Sequence, residues 1–420
     1  MTHDDHTDHN DRTDRTTTAV AIVGAGTIGR IHAEAVGRHP RLRVAAIIDP
    51  DAAARHKLAE HVALGTHTGP ADPGESPGRS ENGEHAPIAA PAEFESLSEA
   101  LAAGGIDLVA VCVPTGMHAA AVSEALAAGV HVLVEKPIDV SLPAARRLAA
   151  LADEAARRGI VSSVVSQHRF DPASAAVAAA VADGRMGRVT SAVASVAWWR
   201  GQEYYDSAQW RGTWALDGGG ALMNQGVHTV DLLAWFLGRP VQVSAHAAML
   251  AHESIEVEDV AVATVRFASG ALAVLHATTA AYPGLSVRLQ VHGSTGSAVL
   301  HDDQLEYFHV ARHGTGETGG PYGGAEPDNQ ASRVVPEAEL PGNPKPADAF
   351  VVSHLQQYED VVDAIETGRR PTVTFQDGLM ALAIVRAVYV SSTLNRPVAI
   401  DALLAGDYDD VTVTVDTATA

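Results

Sequence analysis

Val20-Ala21-Ile22-Val23 runs without a polar break into Gly24-Ala25-Gly26-Thr27-Ile28-Gly29, and this junction constrains the fold more than any other stretch. A short apolar run without alternation suits a strand buried on both faces. The glycines have separate jobs: Gly24 permits a tight turn, Gly26 lets the backbone approach a pyrophosphate, and Gly29 lets helix and strand pack closely. A helix opening at Thr27 and Ile28 offers unpaired N–H groups to an anion. Spaced glycines alone are a weak signal. Here a second β-branched run, 42–48, ends at Asp49, twenty residues after Gly29, where a dinucleotide fold needs an acid for the ribose. A glycine turn plus an Asp helix cap would explain the pieces but not the spacing. Asp49 would accept from ribose hydroxyls and repel a 2′-phosphate. Pro50 and Asp51 follow it instead of a basic residue, so the sequence favours NAD over NADP.

The alternation continues. Residues 106–113, 130–134 and 160–165 read as strands, and 31–36, 52–62, 118–128 and 143–157 as helices, the last with Ser141 as N-cap and Pro143 in its first turn. This pattern predicts a doubly wound parallel sheet. After Asp171-Pro172 the character changes to strands at 189–199, 241–249, 260–267, 272–278 and 287–291, with Ala268-Ser269-Gly270 as a tight hairpin. Short links favour an antiparallel or mixed sheet open on one face, closed by helices over 354–366 and 378–394. The expected architecture is α/β. A nucleotide-binding domain spans 19–168 and a substrate and oligomerisation domain 169–400, with a disordered tail over 1–18 and a C-terminal tail over 401–420. Gly- and Pro-rich segments at 65–92 and 312–347 read as loop insertions. A sheet open on one face predicts a homo-oligomer.

Composition narrows the partners. A net charge of −22 argues against nucleic acid and acidic membranes, which need a cationic surface. An anionic cofactor must then be held by local dipoles. The single cysteine, Cys112, excludes an intramolecular disulfide and a cysteine zinc cage. His3, His6 and His9 sit in a polar segment where ordering them around an ion would be costly, and no metal is expected. The first residues hold no hydrophobic signal core and no run reaches membrane-span length, so the expected location is cytoplasmic.

Two further stretches carry chemistry. Glu135-Lys136-Pro137 ends a predicted strand, and ligands of doubly wound sheets bind beyond the carboxyl ends of the strands. A lysine there can hydrogen-bond a substrate hydroxyl and favour its alkoxide; the bland alternative is a surface ion pair with Glu135. Pro137 is a candidate cis proline that aims the lysine. Downstream, Gly218-Gly219-Gly220-Ala221-Leu222-Met223-Asn224-Gln225-Gly226-Val227-His228-Thr229-Val230-Asp231 reads as a glycine-hinged entry to a helix. The glycines would let backbone approach a ligand, Asn224 shares the face of His228, and Asp231 could orient the imidazole for general-base work. A structural histidine is the competing account.

These stretches, with Cys112-Val113-Pro114-Thr115-Gly116-Met117-His118 and the segment 354–365, make the chain resemble the glucose–fructose oxidoreductase/inositol dehydrogenase (Gfo/Idh/MocA) family over residues 19–400, insertions aside. The resemblance implies a Rossmann domain followed by an α/β domain on a mostly antiparallel sheet that mediates dimers or tetramers. It matches Lys136 to the lysine at the reacting hydroxyl, His228 to the catalytic histidine, and Pro114, Thr115, His118 and Glu135 to positions lining the cofactor. Many members carry Asp where this chain has Asn224, and asparagine cannot accept a proton at neutral pH.

The aromatic and arginine-rich approach to the glycine run suits a sugar or cyclitol, with Trp210 and Arg211 as the candidates nearest the site. The expected activity is NAD-dependent hydride transfer between nicotinamide and a secondary alcohol or ketone of such a substrate. Two rivals remain: a redox-neutral epimerase, lyase or glycosidase with transiently reduced bound NAD, and a non-catalytic sugar or nucleotide sensor.

Overall fold

The computed structural model describes residues 17–64, 90–311 and 328–417. Residues 1–16 of the expected 1–18 tail, nearly all of the 65–92 insertion and residues 312–327 of the 312–347 insertion lie outside them, while Thr18 already opens the first strand.

The first half alternates as predicted: β1 (Thr18–Val23), α1 (Thr27–Arg38), β2 (Leu42–Ile48), α2 (Ala52–Ala63), β3 (Ala92–Phe94), α3 (Leu97–Ala103), β4 (Leu108–Val111), α4 (His118–Ala127), β5 (His131–Val134), α5 (Leu142–Arg157) and β6 (Ser162–Val164). The strands form one parallel sheet in the order β3-β2-β1-β4-β5-β6. β1 and β4 are buried along nearly their whole length because helices cover both faces. The Ser141 hydroxyl accepts from the Ala144 N–H and caps α5. β3 and α3 were not anticipated, since they follow the insertion and are only three and seven residues long.

The second half contains α6 (Pro172–Ala182), β7 (Val189–Ala197), α7 (Gln202–Asp206), a π-helical turn (Ala221–Gly226), α8 (Val227–Leu237), β8 (Pro240–Met249), β9 (Val260–Phe267), β10 (Leu272–Thr278), β11 (Val287–Gly293), β12 (Gly296–His301), β13 (Gln304–Val310), α9 (Ala349–Thr367), α10 (Phe375–Leu394), β14 (Val398–Ala399), α11 (Ile400–Ala405) and β15 (Asp416–Thr417). Its nine-stranded sheet runs β13-β12-β11-β7-β10-β9-β8-β14, with β15 also on β8. Most pairs are antiparallel; β10 with β7 and β15 with β8 are parallel. Residues 268–270 make the expected turn between antiparallel β9 and β10. β9 alternates buried and exposed side chains, and α8 and α10 pack against the inner face. α10 is long and apolar enough to cross a membrane, yet most of it is buried in this core.

Two findings differ from the sequence expectation. The 401–420 segment carries α11 and pairs with β8 through β15. α9 leaves the second half and packs on α1, burying Tyr358, Val361 and Val362 in the apolar cluster that holds Val20 and Ile22. Arg41 reinforces this seam by pairing with Glu359, Asp363 and Glu366.

Candidate active site

At the carboxyl end of β1, Gly24 adopts φ +107°, and a Cβ on it would meet the Cys112 carbonyl oxygen at 2.6 Å. A Cβ on Gly29 would lie 1.9 Å from the Gly24 carbonyl. Gly26 differs: among the described residues no neighbouring atom lies within 4 Å of its missing Cβ, and no side chain caps the N-terminus of α1 that it begins. Two closed positions flanking an open one beside unpaired N–H groups form a cradle that fits a pyrophosphate. Asp49 closes the cradle, accepting from the Ala25 N–H at 2.8 Å and the Asp51 N–H at 2.9 Å. The sequence argument found no basic residue after Asp49. Arg55, in the first turn of α2, nevertheless reaches back to donate to the Asp49 carbonyl, and its Nε is buried without a partner among the described residues.

Glu135 is buried at the end of β5. Its Oε1 meets His32 Nε2 at 3.1 Å and His354 Nε2 at 3.3 Å, while Oε2 accepts from the Lys136 N–H at 3.1 Å. Burial opposes its charge, but the two histidines hold its carboxyl well below the usual range. His354 Nδ1 donates to the Phe350 carbonyl, so Nε2 can donate to Glu135 only in the imidazolium form. His32, Glu135 and His354 also have the composition of a metal site, as do His168, Asp171 and Asp303. The Lys136–Pro137 peptide is cis. Both ring nitrogens of His118 face carbonyls, Pro137 and Val113, each at 2.9 Å. His118 therefore ties the Pro114–Thr115 loop to the lysine turn. Two carbonyl acceptors favour a charged ring while burial lowers its pKa.

Lys136 and His228 come from different halves of the chain and line one narrow cleft. Burial, then the Lys136 ammonium, then His168 drive the His228 pKa well below the ordinary histidine value, so the ring is neutral at neutral pH. His168 packs edge-on against it, centroids 4.9 Å apart. Asp231 does not orient this ring. It takes two hydrogen bonds from Arg169, at 2.6 and 2.7 Å, and one from the Ser166 hydroxyl, because it lies on the buried face of α8 toward β6. No described residue hydrogen-bonds the imidazole.

The glycine run serves packing. A Cβ on Gly220 would lie 1.7 Å from the Glu258 carbonyl, and one on Gly219 would lie 2.2 Å from the Tyr389 hydroxyl. Protein, not ligand, makes the close approach expected there. Glu258, wholly buried, accepts from the Gly220 and Leu222 N–H groups and from Tyr389, anchoring the π-helical turn that carries Asn224. Arg211 lies over the rings of Tyr204 at 4.3 Å and Trp210 at 4.6 Å. Tyr204 accepts from Gln225, which places that cluster beside Asn224. Gln225, His168, His228, Trp198 and Lys345 line a cavity of about 340 Å³. Ser174 Oγ and Gln225 Oε1, on two of its lining residues, are buried without a partner among the described residues.

Sequence reasoning missed Asp217, Glu258, His168 and Lys345. Asp217 immediately precedes the glycine run and His168 follows β6, so position could have flagged both. Lys345, in the segment expected to be a loop excursion, carries no such signal.

Residues 18–163 match the oxidoreductase family with an NAD-binding Rossmann fold, and residues 174–299 match the GFO/IDH/MocA C-terminal domain. The chain belongs to the Gfo/Idh/MocA oxidoreductase family. It is 26% identical over 393 residues to inositol 2-dehydrogenase of Rhizobium meliloti, covering 91% of this chain and 99% of that one. It is 31% identical over 285 residues to myo-inositol dehydrogenase Hyg17 of Streptomyces leeuwenhoekii, covering 66% and 75%. The WlbA dehydrogenase from Bordetella pertussis, solved with NADH and UDP-GlcNAcA, superposes with a TM-score of 0.71 at 26% identity, covering 91% of this chain and 98% of that one. The protein is thus an NAD-binding oxidoreductase with inositol dehydrogenase relatives.

Proposed function

We propose that this protein is an NAD-dependent dehydrogenase that oxidises a secondary alcohol of a sugar, sugar derivative or cyclitol, or reduces the matching ketone. The observation that carries the reading is the cleft shared by Lys136 and His228 beyond the carboxyl ends of β5 and β6, in the sheet whose β1 end carries the glycine cradle. NAD is the proposed cofactor, held by Gly24, Gly26, Thr27, Ile28, Gly29 and Asp49, with Pro114, Thr115 and Glu135 along its edge. When bound it supplies the hydride acceptor or donor. Neutral His228 takes the hydroxyl proton, and the Lys136 ammonium stabilises developing negative charge on the same oxygen. Asn224 orients the substrate, and Trp210 and Arg211 border it. The inositol dehydrogenase relatives and the cavity edged by Trp198, His168 and Gln225 support a sugar or cyclitol.

We assign it to the cytoplasm, acting as a homodimer or homotetramer. Val193, Val262, Leu272 and Val274 are exposed on the outer sheet face, where a second copy would cover them. The test is purified protein with NAD or NADP and a panel of sugars, sugar acids and cyclitols, following reduced-cofactor absorbance beside Lys136→Ala. Sustained signal lost in the variant supports the reading. Bound NAD recovered on denaturation, with turnover but no net signal, would favour the redox-neutral alternative.

A further inference from the structure

We infer that Asp217 is the fixed anion of this cleft and acts on the reacting groups through Asn224. The inference rests on the oxidoreductase reading of the same site and adds a positioning residue to it.

Asp217 is only 3% exposed and sits where the loop after α7 turns into the glycine run. Its Oδ2 accepts from the Gly212 N–H at 2.9 Å and its Oδ1 from Asn224 Nδ2 at 2.8 Å. Two neutral donors do not compensate a buried carboxylate for lost water. Arg211 on its own loop and Lys136 from the end of β5 are the cations that act on it through charge, and Tyr204 on α7 and Tyr389 on α10 are the other titratable groups coupled to it. Burial raises its pKa on balance, against the pull of the Gly212 and Asn224 hydrogen bonds and the two cations.

The other carboxylates around the cleft are committed elsewhere. Asp231 is held by Arg169, and Glu135 by His32 and His354. Among the described residues, Asp217 is the carboxylate that bonds a side chain one helical turn before His228. That bond fixes the amide. With Nδ2 turned to Asp217, the carbonyl oxygen of Asn224 is the end presented to a substrate hydroxyl. The carboxylate stays one hydrogen bond behind and takes no proton from substrate.

Asp217→Asn removes the charge at constant shape, and Asp217→Asn/Asn224→Asp moves it across the same hydrogen bond. The single variant is expected to lose on the order of tenfold or more in kcat with KM little changed. The double variant recovers most of the loss. A readout independent of turnover is the Asn224 side-chain amide signal in 15N-labelled, NAD-saturated protein, identified by its absence in Asn224→Ala. Its hydrogen-bonded proton moves upfield in Asp217→Asn, where a neutral amide replaces the carboxylate acceptor. Wild-type kcat and an unmoved Asn224 signal in Asp217→Asn would overturn the inference, as would a loss the double variant does not recover. A moved signal in a protein that oxidises nothing in the panel would sink the dehydrogenase reading and leave the Asp217–Asn224 bond standing. Should Asp217→Asn fail to fold, the double variant and Asn224→Ala carry the same comparison.

Discussion

The glycine loop after β1 and the glycine run before α8 look alike in sequence and are built for opposite purposes. In the first, Gly24 and Gly29 are closed by backbone while Gly26 faces open space at a bare helix N-terminus. In the second, Gly218, Gly219 and Gly220 all have protein where a side chain would begin: Val140, Tyr389 and the Glu258 carbonyl. One is a cradle and the other a joint. Glycine richness reports that something comes close; only what fills the missing Cβ tells whether it is a ligand.

Alanine substitutions break or sharpen this contrast most strongly. Gly220→Ala and Gly29→Ala drive a methyl into backbone carbonyls 1.7 and 1.9 Å away, and both are expected to prevent folding or cost several kcal/mol, on the order of 4. Gly26→Ala should keep stability within about 1 kcal/mol yet weaken NAD binding, measured by denaturant unfolding and NAD titration. Wild-type NAD affinity in Gly26→Ala would remove the distinction between cradle and joint.

The next effect tests the joint's far side. Asp231→Asn leaves Arg169 buried with a weakened partner, and about 3 kcal/mol of stability should go. The acid limb of the remaining folded enzyme should hardly move, since Asp231 does not touch His228. A large shift of that limb would restore the orienting role the sequence suggested.

Glu258 gives a smaller, pH-dependent effect. Burial raises its pKa to about 7 from an ordinary 4.5, despite its three hydrogen bonds. The folded state then keeps a proton that the unfolded chain releases. This contribution is fully present below about pH 4.5 and is lost as pH rises through about 7, worth roughly 3 kcal/mol. Urea unfolding across that window should show the slope in wild type and not in Glu258→Gln, whatever the variant's absolute stability. The smallest effect is on activity: with His228 neutral through burial and Lys136, the acid limb of kcat/KM should lie below the ordinary histidine range. A limb at or above that range would mean another base.

The cradle was legible because local spacing determines it. Strand, turn, helix and ribose acid lie within 32 consecutive residues, 18–49, and each glycine's neighbour is near in sequence or on the adjoining strand. β2, β9 and β10 were found to the residue for the same reason: their periodicity ends in sharp turn signals. In the second half the strands were legible but their side-chain partners were not. The partner of Asp231 is Arg169, 62 residues away, and the anchor of Gly220 is Glu258, 38 residues away; neither distance leaves a periodic trace. Arg55 escaped for a different reason. It stands one helical turn beyond Asp51 and returns to the Asp49 carbonyl only because α2 folds it back, so the two residues after Asp49 were too few to judge the base-free ribose site.

The most direct test of the central claim is a turnover assay. Wild type, Lys136→Ala and His228→Ala would be given NAD and the polyol panel, with folding checked by circular dichroism. Sustained NADH formation by wild type, reduced on the order of 100-fold or more in both folded variants, is the predicted result. NADH formation that survives both substitutions would contradict it, because the cleft they share would then not be where the hydroxyl reacts.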